Sequence, residues 1–506
     1  MNIVEKLAGL IRETSSSLPE DVESALAKAK RREQVGSSAA VVIGTVLDNV
    51  RLARKLGSPL CQDTGTLAFY IDAALRRKVS PAVVRKAVAL ATARGYLRKN
   101  CIDSVTGKSY DDNCADGSPV IHYVDCAEKG CVRLVLKGGG SENMSRQYSL
   151  PDSALGAGRD LAGVRKCILD AVVKAQGFGC APGILGVCIG GDRATAYEVA
   201  KEQLLRPLDA SGEASDATIR RIEKSILKEA NSLGIGPMGL GGKTTLLGVR
   251  IASRPRVPAS FFVTIAYMCW ACRRGSLKLE KMTGGLLMKA LSARWMRAIV
   301  AKRRRPGYDI ITDKADSQMK ELRYPFDERQ IRALKAGDAV EISGLVHTGR
   351  DKFHKFFADG GKIPVDFRDG ALYHCGPVCV KADDGWKVVS AGPTTSVREN
   401  PYEPKFIASS GVRIVIGKGG MDAATLAAMK KHGCVYVQAV GGAGALYAAS
   451  VKRVAGVDLF EEFGAAEACW HFEVEGFRGV VAMDAHGNSL FGKVASASDA
   501  RLRAIL

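Results

Sequence analysis

Val412-Arg413-Ile414-Val415-Ile416-Gly417-Lys418-Gly419-Gly420-Met421-Asp422 runs into Ala423 to His432 and then into Cys434-Val435-Tyr436-Val437. A β-branched apolar run, a glycine loop, ten helix-compatible residues and a second β-branched run make the clearest β-α-β unit in the chain. Two strands joined through a helix lie parallel, so the surrounding region reads as α/β. The loop presents Lys418 and backbone N–H groups toward an anion. This region begins near Leu322-Arg323-Tyr324-Pro325-Phe326, and further strands are predicted over 338–344 and 386–390.

Upstream the pattern differs. Residues 1–56 read as helices, one of them opening at Pro19-Glu20-Asp21 with acids in its first turn. Pro81 to Leu97 is a helix with Ser80 as its N-cap, residues 101–118 are loop-like, and 132–136 alternate as a strand. That strand enters Lys137-Gly138-Gly139-Gly140-Ser141-Glu142-Asn143, where three glycines let backbone N–H groups approach a ligand or simply turn the chain. Helices are predicted over 161–175, 194–205 and from Ser215, and Gly190-Gly191-Asp192 before the second is a candidate anion site. Gly234-Ile235-Gly236-Pro237-Met238-Gly239 and Gly242-Lys243-Thr244 imitate nucleotide motifs. Both are rejected, because a helix precedes them and a strand follows, the reverse of the order that nucleotide binding needs.

The chain has 506 residues, 46% hydrophobic and 25% charged, which bounds it to an ordinary globular composition with two to four domains. The N-terminus carries no apolar leader, and the longest apolar stretch, Val257 to Cys272, falls short of the ~20 residues of a membrane helix. It reads as a buried strand or two, and the protein is expected in the cytoplasm, off the membrane. Fourteen cysteines in such a chain are reduced thiols rather than a disulfide framework. Cys269–Cys272 and Cys375–Cys379 are isolated pairs, so spacing alone identifies no metal site. The formal charge of +20 suits steering of small anions, and Lys302-Arg303-Arg304-Arg305 lacks the interleaved aromatics of a nucleic-acid surface. Residues 284–318 lose periodicity and read as a linker.

The chemistry is densest at Cys61-Gln62-Asp63-Thr64-Gly65, a loop of short polar residues after a helix-like stretch. Together with Gly138 to Asn143, Gly392-Pro393-Thr394-Thr395-Ser396 plus Arg398, and Gly417 to Gly420, it resembles the class I iron–sulfur fumarase family, which also holds L-tartrate dehydratases and mesaconases. All four motifs stand in family order, with the α and β parts on one polypeptide. The resemblance implies an α+β N-terminal cluster-binding region (1–285), a linker (286–319) and an α/β swivelling-type C-terminal domain (320–506). It implies a [4Fe–4S] cluster held by Cys61, Cys180 and Cys269, with an open iron as Lewis acid. It also implies a dicarboxylate held by Gln62, Arg98, Gly139, Arg350, Arg398 and Lys418, with Asp63 and Thr394 in proton transfer. Where the family carries Arg-His-Pro, this chain has Arg256-Val257-Pro258; His347, His354 and His374 are the candidates to compensate.

The expected reaction is hydration of fumarate to (S)-malate by a homodimeric hydro-lyase. The alternatives are a related 2-hydroxy diacid as substrate, or a non-catalytic cluster sensor that binds RNA.

Overall fold

The computed structural model describes residues 2–126, 128–208, 217–279, 319–382 and 385–506. The linker expected over 286–319 and the basic run at 302–305 lie outside these, apart from residue 319. Among the described residues no helix is long and apolar enough to cross a membrane, and no two cysteines are joined.

Three helices, Ile3–Ser16, Glu20–Arg32 and Ser38–Leu56, open the chain. The first two carry narrow apolar stripes (Leu7, Leu10, Ile11; Val22, Leu26, Ala29) that pack against neighbouring sheets. Two four-stranded sheets follow. In one, Arg273–Lys278, Cys131–Lys137 and Thr66–Asp72 are antiparallel neighbours and Val120–Val124 adds a parallel edge. In the other, Arg146–Ser149, Phe262–Met268 and Gly183–Gly190 are antiparallel, with Leu246–Arg254 parallel to the last. The apolar run 257–272 therefore supplies one strand and the turn into a second. The glycine-rich 234–242 segment does lie between the helix Ala217–Ser232 and a strand, as its order required.

In the C-terminal part, Ala339–Thr348, Ala371–Tyr373, Ile414–Gly417 and Val435–Gln438 are parallel in that order, including the β-α-β unit. The region is not purely parallel. The fifteen-residue strand Cys469–Met483 runs antiparallel to both Val435–Gln438 and Ala339–Thr348, closing five strands into a ring. A strand buried on both faces needs no alternation, which is why Val480-Val481-Ala482-Met483 carries little sequence signal.

The two parts are stitched together. Asn49 is fully buried and donates to Leu60 O (3.1 Å), while its amide oxygen accepts from the Leu446 N–H (2.9 Å). The C-terminal helix Leu490–Ile505 packs back on the N-terminal part. Leu502 enters its core, and Arg501 donates to Leu233 O at 2.9 Å.

Two anion sites read from sequence are already filled by the chain's own carboxylates. Asp192 caps Arg193–Gln203 through the N–H groups of Ala194 and Thr195. Asp422 caps Ala423–His432 through the Thr425 N–H. In the loop before that helix, the Gly419 N–H is taken by Gln438 Oε1 (3.0 Å), so its backbone is not free for a ligand. Lys418 alone points onward.

Candidate active site

The loop Cys61–Gly65 turns sharply because Gly65 sits at φ +72° against the strand Cys131–Lys137. A Cβ there would come within 2.3 Å of Lys137 O. The turn brings Asp63 onto the first turn of Gly139–Glu142, whose Gly139 N–H donates to Asp63 Oδ2 at 2.9 Å. Gly65 N–H holds the other oxygen at 3.0 Å. Gly139 thus lies where expected, with its N–H engaged by the protein.

Across the junction, Gly392–Arg398 is pinned onto the loop 417–422. Thr394 N–H donates to His374 O (2.7 Å), Lys418 N–H to Thr394 O (3.2 Å) and Ser396 N–H to Lys418 O (3.0 Å). Gln62 reaches over to donate to Pro393 O at 3.2 Å. A cavity of about 490 Å³ opens between the two parts, and Gln62, Asp63, Arg98, Gly139, Arg350, Thr394, Arg398 and Lys418 all line it.

The cations are positioned differently. Arg98 donates to Gly376 O (3.0 Å) and Asn100 Oδ1 (2.8 Å). Arg350, N-cap of the helix Asp351–Ala358, donates to Ala466 O (3.1 Å) and pairs with Glu467 (3.1 Å). In both, the buried Nε has no partner. Arg398 is half exposed, pairs with Asp351 (3.0 Å) and donates to Thr394 Oγ at 3.0 Å. Burial works to raise the Asp63 carboxyl, but Arg98, Arg273, Lys418 and the Gly139 N–H hold it below the usual carboxylate range.

Behind Asp63 and Lys418 stand the three thiols. Asp63 N–H points at Cys61 Sγ (3.4 Å), Lys418 Nζ lies 3.2 Å from Cys180 Sγ, and Cys269 N–H donates to Ser141 Oγ (3.2 Å). Cys180 takes φ +56°, a left-handed conformation rare for a side-chain-bearing residue and a mark of constraint at a site. Burial pushes all three thiols up, and each is drawn back by Lys418; Arg273 draws down Cys61 and Cys269 as well. Burial opposes the charge on Lys418, yet Cys180, Cys61 and Asp63 together hold it well above the ordinary lysine range. Gly441 leaves room here: a Cβ would come within 2.4 Å of Cys180 Sγ. Unbridged thiols from three distant segments, facing two cations, fit an iron–sulfur cluster carried as an anionic thiolate group.

Known proteins point the same way. The family model described as fumarate hydratase (Fumerase) matches residues 4–278, and that described as fumarase C-terminus matches 296–494. A protein of Geobacillus stearothermophilus named "Putative fumarate hydratase class I" is 44% identical over 503 residues, 98% of this chain and 97% of that one. The chain belongs to the class I fumarate hydratase family. It is a hydro-lyase. Two Methanocaldococcus jannaschii proteins divide the same length. One named "Putative L(+)-tartrate dehydratase subunit alpha" is 32% identical over 289 residues (55% of this chain, 98% of that one). One named for subunit beta is 40% identical over 181 residues (34% and 93%). The family's α and β parts are therefore fused here.

Two expectations need correction. None of the seven histidines lines the cavity, so His347, His354 and His374 do not compensate for the missing family histidine there. His347 faces His471 (2.7 Å between Nδ1 atoms), while His354 and His374 are sealed in the core. Val257 itself is 64% exposed on a loop and does not line the cavity. One group escaped the sequence reading: Arg273, 2% exposed, its Nε unpartnered, beside Gly138 and electrostatically coupled to Cys61 and Asp63. Its signal was an arginine directly after a buried apolar run.

Proposed function

We propose that this hydro-lyase adds water reversibly to fumarate, giving (S)-malate, in the cavity between residues 1–285 and 320–506, with 286–319 as linker. The observation that carries the proposal is the set of groups around one space of about 490 Å³: four cations, one ionised carboxylate and the Thr394 hydroxyl, backed by three thiols. A small dicarboxylate needs that excess of cations, and arginine's planar fork matches a carboxylate in two bonds.

Cys61, Cys180 and Cys269 would hold a [4Fe–4S] cluster. When bound, it supplies Lewis acidity toward a hydroxyl or carboxylate oxygen. The protein's own groups do the rest. Arg98 and Arg350 line the cavity and supply guanidinium charge for a carboxylate, and Arg398 closes the solvent side. Asp63, held ionised, is suited to accept a proton from the adding water. Thr394 is suited to exchange the proton at the neighbouring carbon, because the Arg398 guanidinium on its Oγ stabilises the resulting alkoxide. Lys418 spans both sets, touching Cys180 while lining the cavity.

The family resemblance further suggests a cytoplasmic homodimer with a swivelling-type C-terminal domain. The tartrate dehydratase relatives favour a second reading, a 2-hydroxy diacid substrate such as tartrate or citramalate. Anaerobic reconstitution with iron and sulfide, then parallel assays of fumarate, mesaconate and tartrate, separates them. Fumarate should have the highest kcat/KM; preference for another acid moves the substrate within the family, and no turnover refutes both readings.

A further inference from the structure

Away from the cavity, three ligating side chains converge in the core. His354 on the helix Asp351–Ala358, His374 just after Ala371–Tyr373 and Glu403 opening Glu403–Ser410 bring ligand atoms within 4.8 Å of one another. All three are fully buried. His354 Nε2 lies 2.9 Å and His374 Nε2 3.4 Å from the same oxygen, Glu403 Oε2. Both contacts are within hydrogen-bonding reach and, against burial, the two imidazoles hold the Glu403 carboxyl well below its usual range, although neither nitrogen and neither Glu403 oxygen has a well-aligned hydrogen bond.

The outer nitrogen of each ring is occupied. His354 Nδ1 meets Arg350 O at 2.9 Å, and His374 Nδ1 meets Ser396 Oγ at 2.8 Å, which in turn meets Tyr436 OH at 2.9 Å. A histidine whose Nδ1 donates outward keeps an Nε2 lone pair, and metal-binding histidines are oriented in this way. Glu399, also fully buried with both oxygens unpartnered, stands 3.7 Å from His354 Nδ1 as a further carboxylate.

We propose that His354, His374 and Glu403 bind one divalent transition-metal ion, Zn²⁺ foremost. Two imidazoles and a carboxylate are the borderline donors that zinc takes, and separations of 2.9 and 3.4 Å suit donors about 2.0–2.2 Å from one shared ion. The competing arrangement is a plain His–Glu–His hydrogen-bonded triad. With both imidazoles on Oε2, it would still leave the buried Glu403 Oε1 bare, which folded proteins avoid.

The ion would be structural: sealed from solvent, it enters as the chain folds. It would clamp the segments that carry the cavity's cations, since Arg350 caps the His354 helix, Thr394 N–H donates to His374 O, and Arg398 adjoins Glu399. This site stands whichever acid the enzyme turns over.

The test is zinc analysis of the full-length chain expressed in zinc-supplemented medium and dialysed against EDTA, with zinc K-edge absorption on the same sample. One Zn²⁺ per chain with a first shell of nitrogen and oxygen only is expected, falling to none in H354Q/H374Q. The edge is element-specific, so cluster iron does not interfere. Absence of zinc in the wild type, a sulfur shell, or zinc retained by the double variant would overturn the proposal. Should the double variant misfold, the wild-type stoichiometry and shell decide alone.

Discussion

Two polar clusters flank the segment Gly392–Arg398, and they are built in opposite ways. On one side, Cys61, Cys180, Cys269 and Arg273 gather from distant segments behind Asp63 and Lys418, which line the cavity. On the other, His354, His374, Glu403 and Glu399 are fully buried and do not line that cavity. The first is a balance of opposite charges, thiols and a carboxylate against cations, and Arg98, Arg350 and Arg398 add positive charge around the cavity. The second has donors without aligned partners and lies beneath the loops that aim Arg350, Thr394 and Arg398. One cluster is arranged for exchange and the other for position. Substitutions on the two sides should therefore fail differently: chromophore and turnover on the first, substrate affinity and stability on the second.

The largest expected effect is at Cys180. C180S should abolish the visible chromophore of the reconstituted protein and lower fumarate turnover more than the ~10–100-fold typical of losing an outer partner of a metal ligand. An unchanged spectrum would remove Cys180 from the ligand set. Next is K418M, which strips a cation from Cys180 and Asp63. Losing one partner of a buried charged set costs about 3–5 kcal/mol, so kcat/KM should fall roughly 10²–10⁴-fold. A fall below tenfold would place Lys418 outside the catalytic balance.

Outside both clusters, His347 is pushed down to about 4, chiefly by burial and then by His471. Below its unfolded value of ~6.5 the unfolded chain binds the extra proton, so stability is full above that pH and declines as pH falls toward 4, by about 3 kcal/mol in all. Chemical denaturation between pH 7 and 4 should show a shallower decline in H347Q; parallel curves would refute the assignment. Smallest is R398A. Its guanidinium is half exposed, so kcat/KM for fumarate should fall only ~10-fold, through weaker substrate binding and lost support of the Thr394 oxygen, with the cluster spectrum intact and R398K intermediate. A changed spectrum would blur the division between the two sides.

The thiol side was legible because its residues sit in compact motifs, each a loop after a strand or helix. Sequence placed Cys61, Asp63, Thr394, Arg398 and Lys418 in such loops, and they all reach one junction. Arg273 was missed because a buried arginine at the start of a strand resembles a surface charge until its partners are in place. The imidazole side was not legible at all. His354, His374 and Glu403 lie on three elements whose approach is set by parallel pairing of Ala339–Thr348, Ala371–Tyr373 and Ile414–Gly417, a long-range property. The ring-closing strand Cys469–Met483 escaped for a related reason, since full burial erases alternation. Both helix-terminus anion sites failed because Asp192 and Asp422 cap their own helices, an occupancy the capping rule itself foretells.

The most direct test is an anaerobic titration of the reconstituted chain with (S)-malate, following the visible spectrum and fumarate formation in one cuvette. A spectral change and fumarate production with the same half-saturation are expected, since one cavity brings the dicarboxylate against both the cations and the thiol-held group. Fumarate formed with no spectral response, or a spectral response with no fumarate, would contradict that shared site.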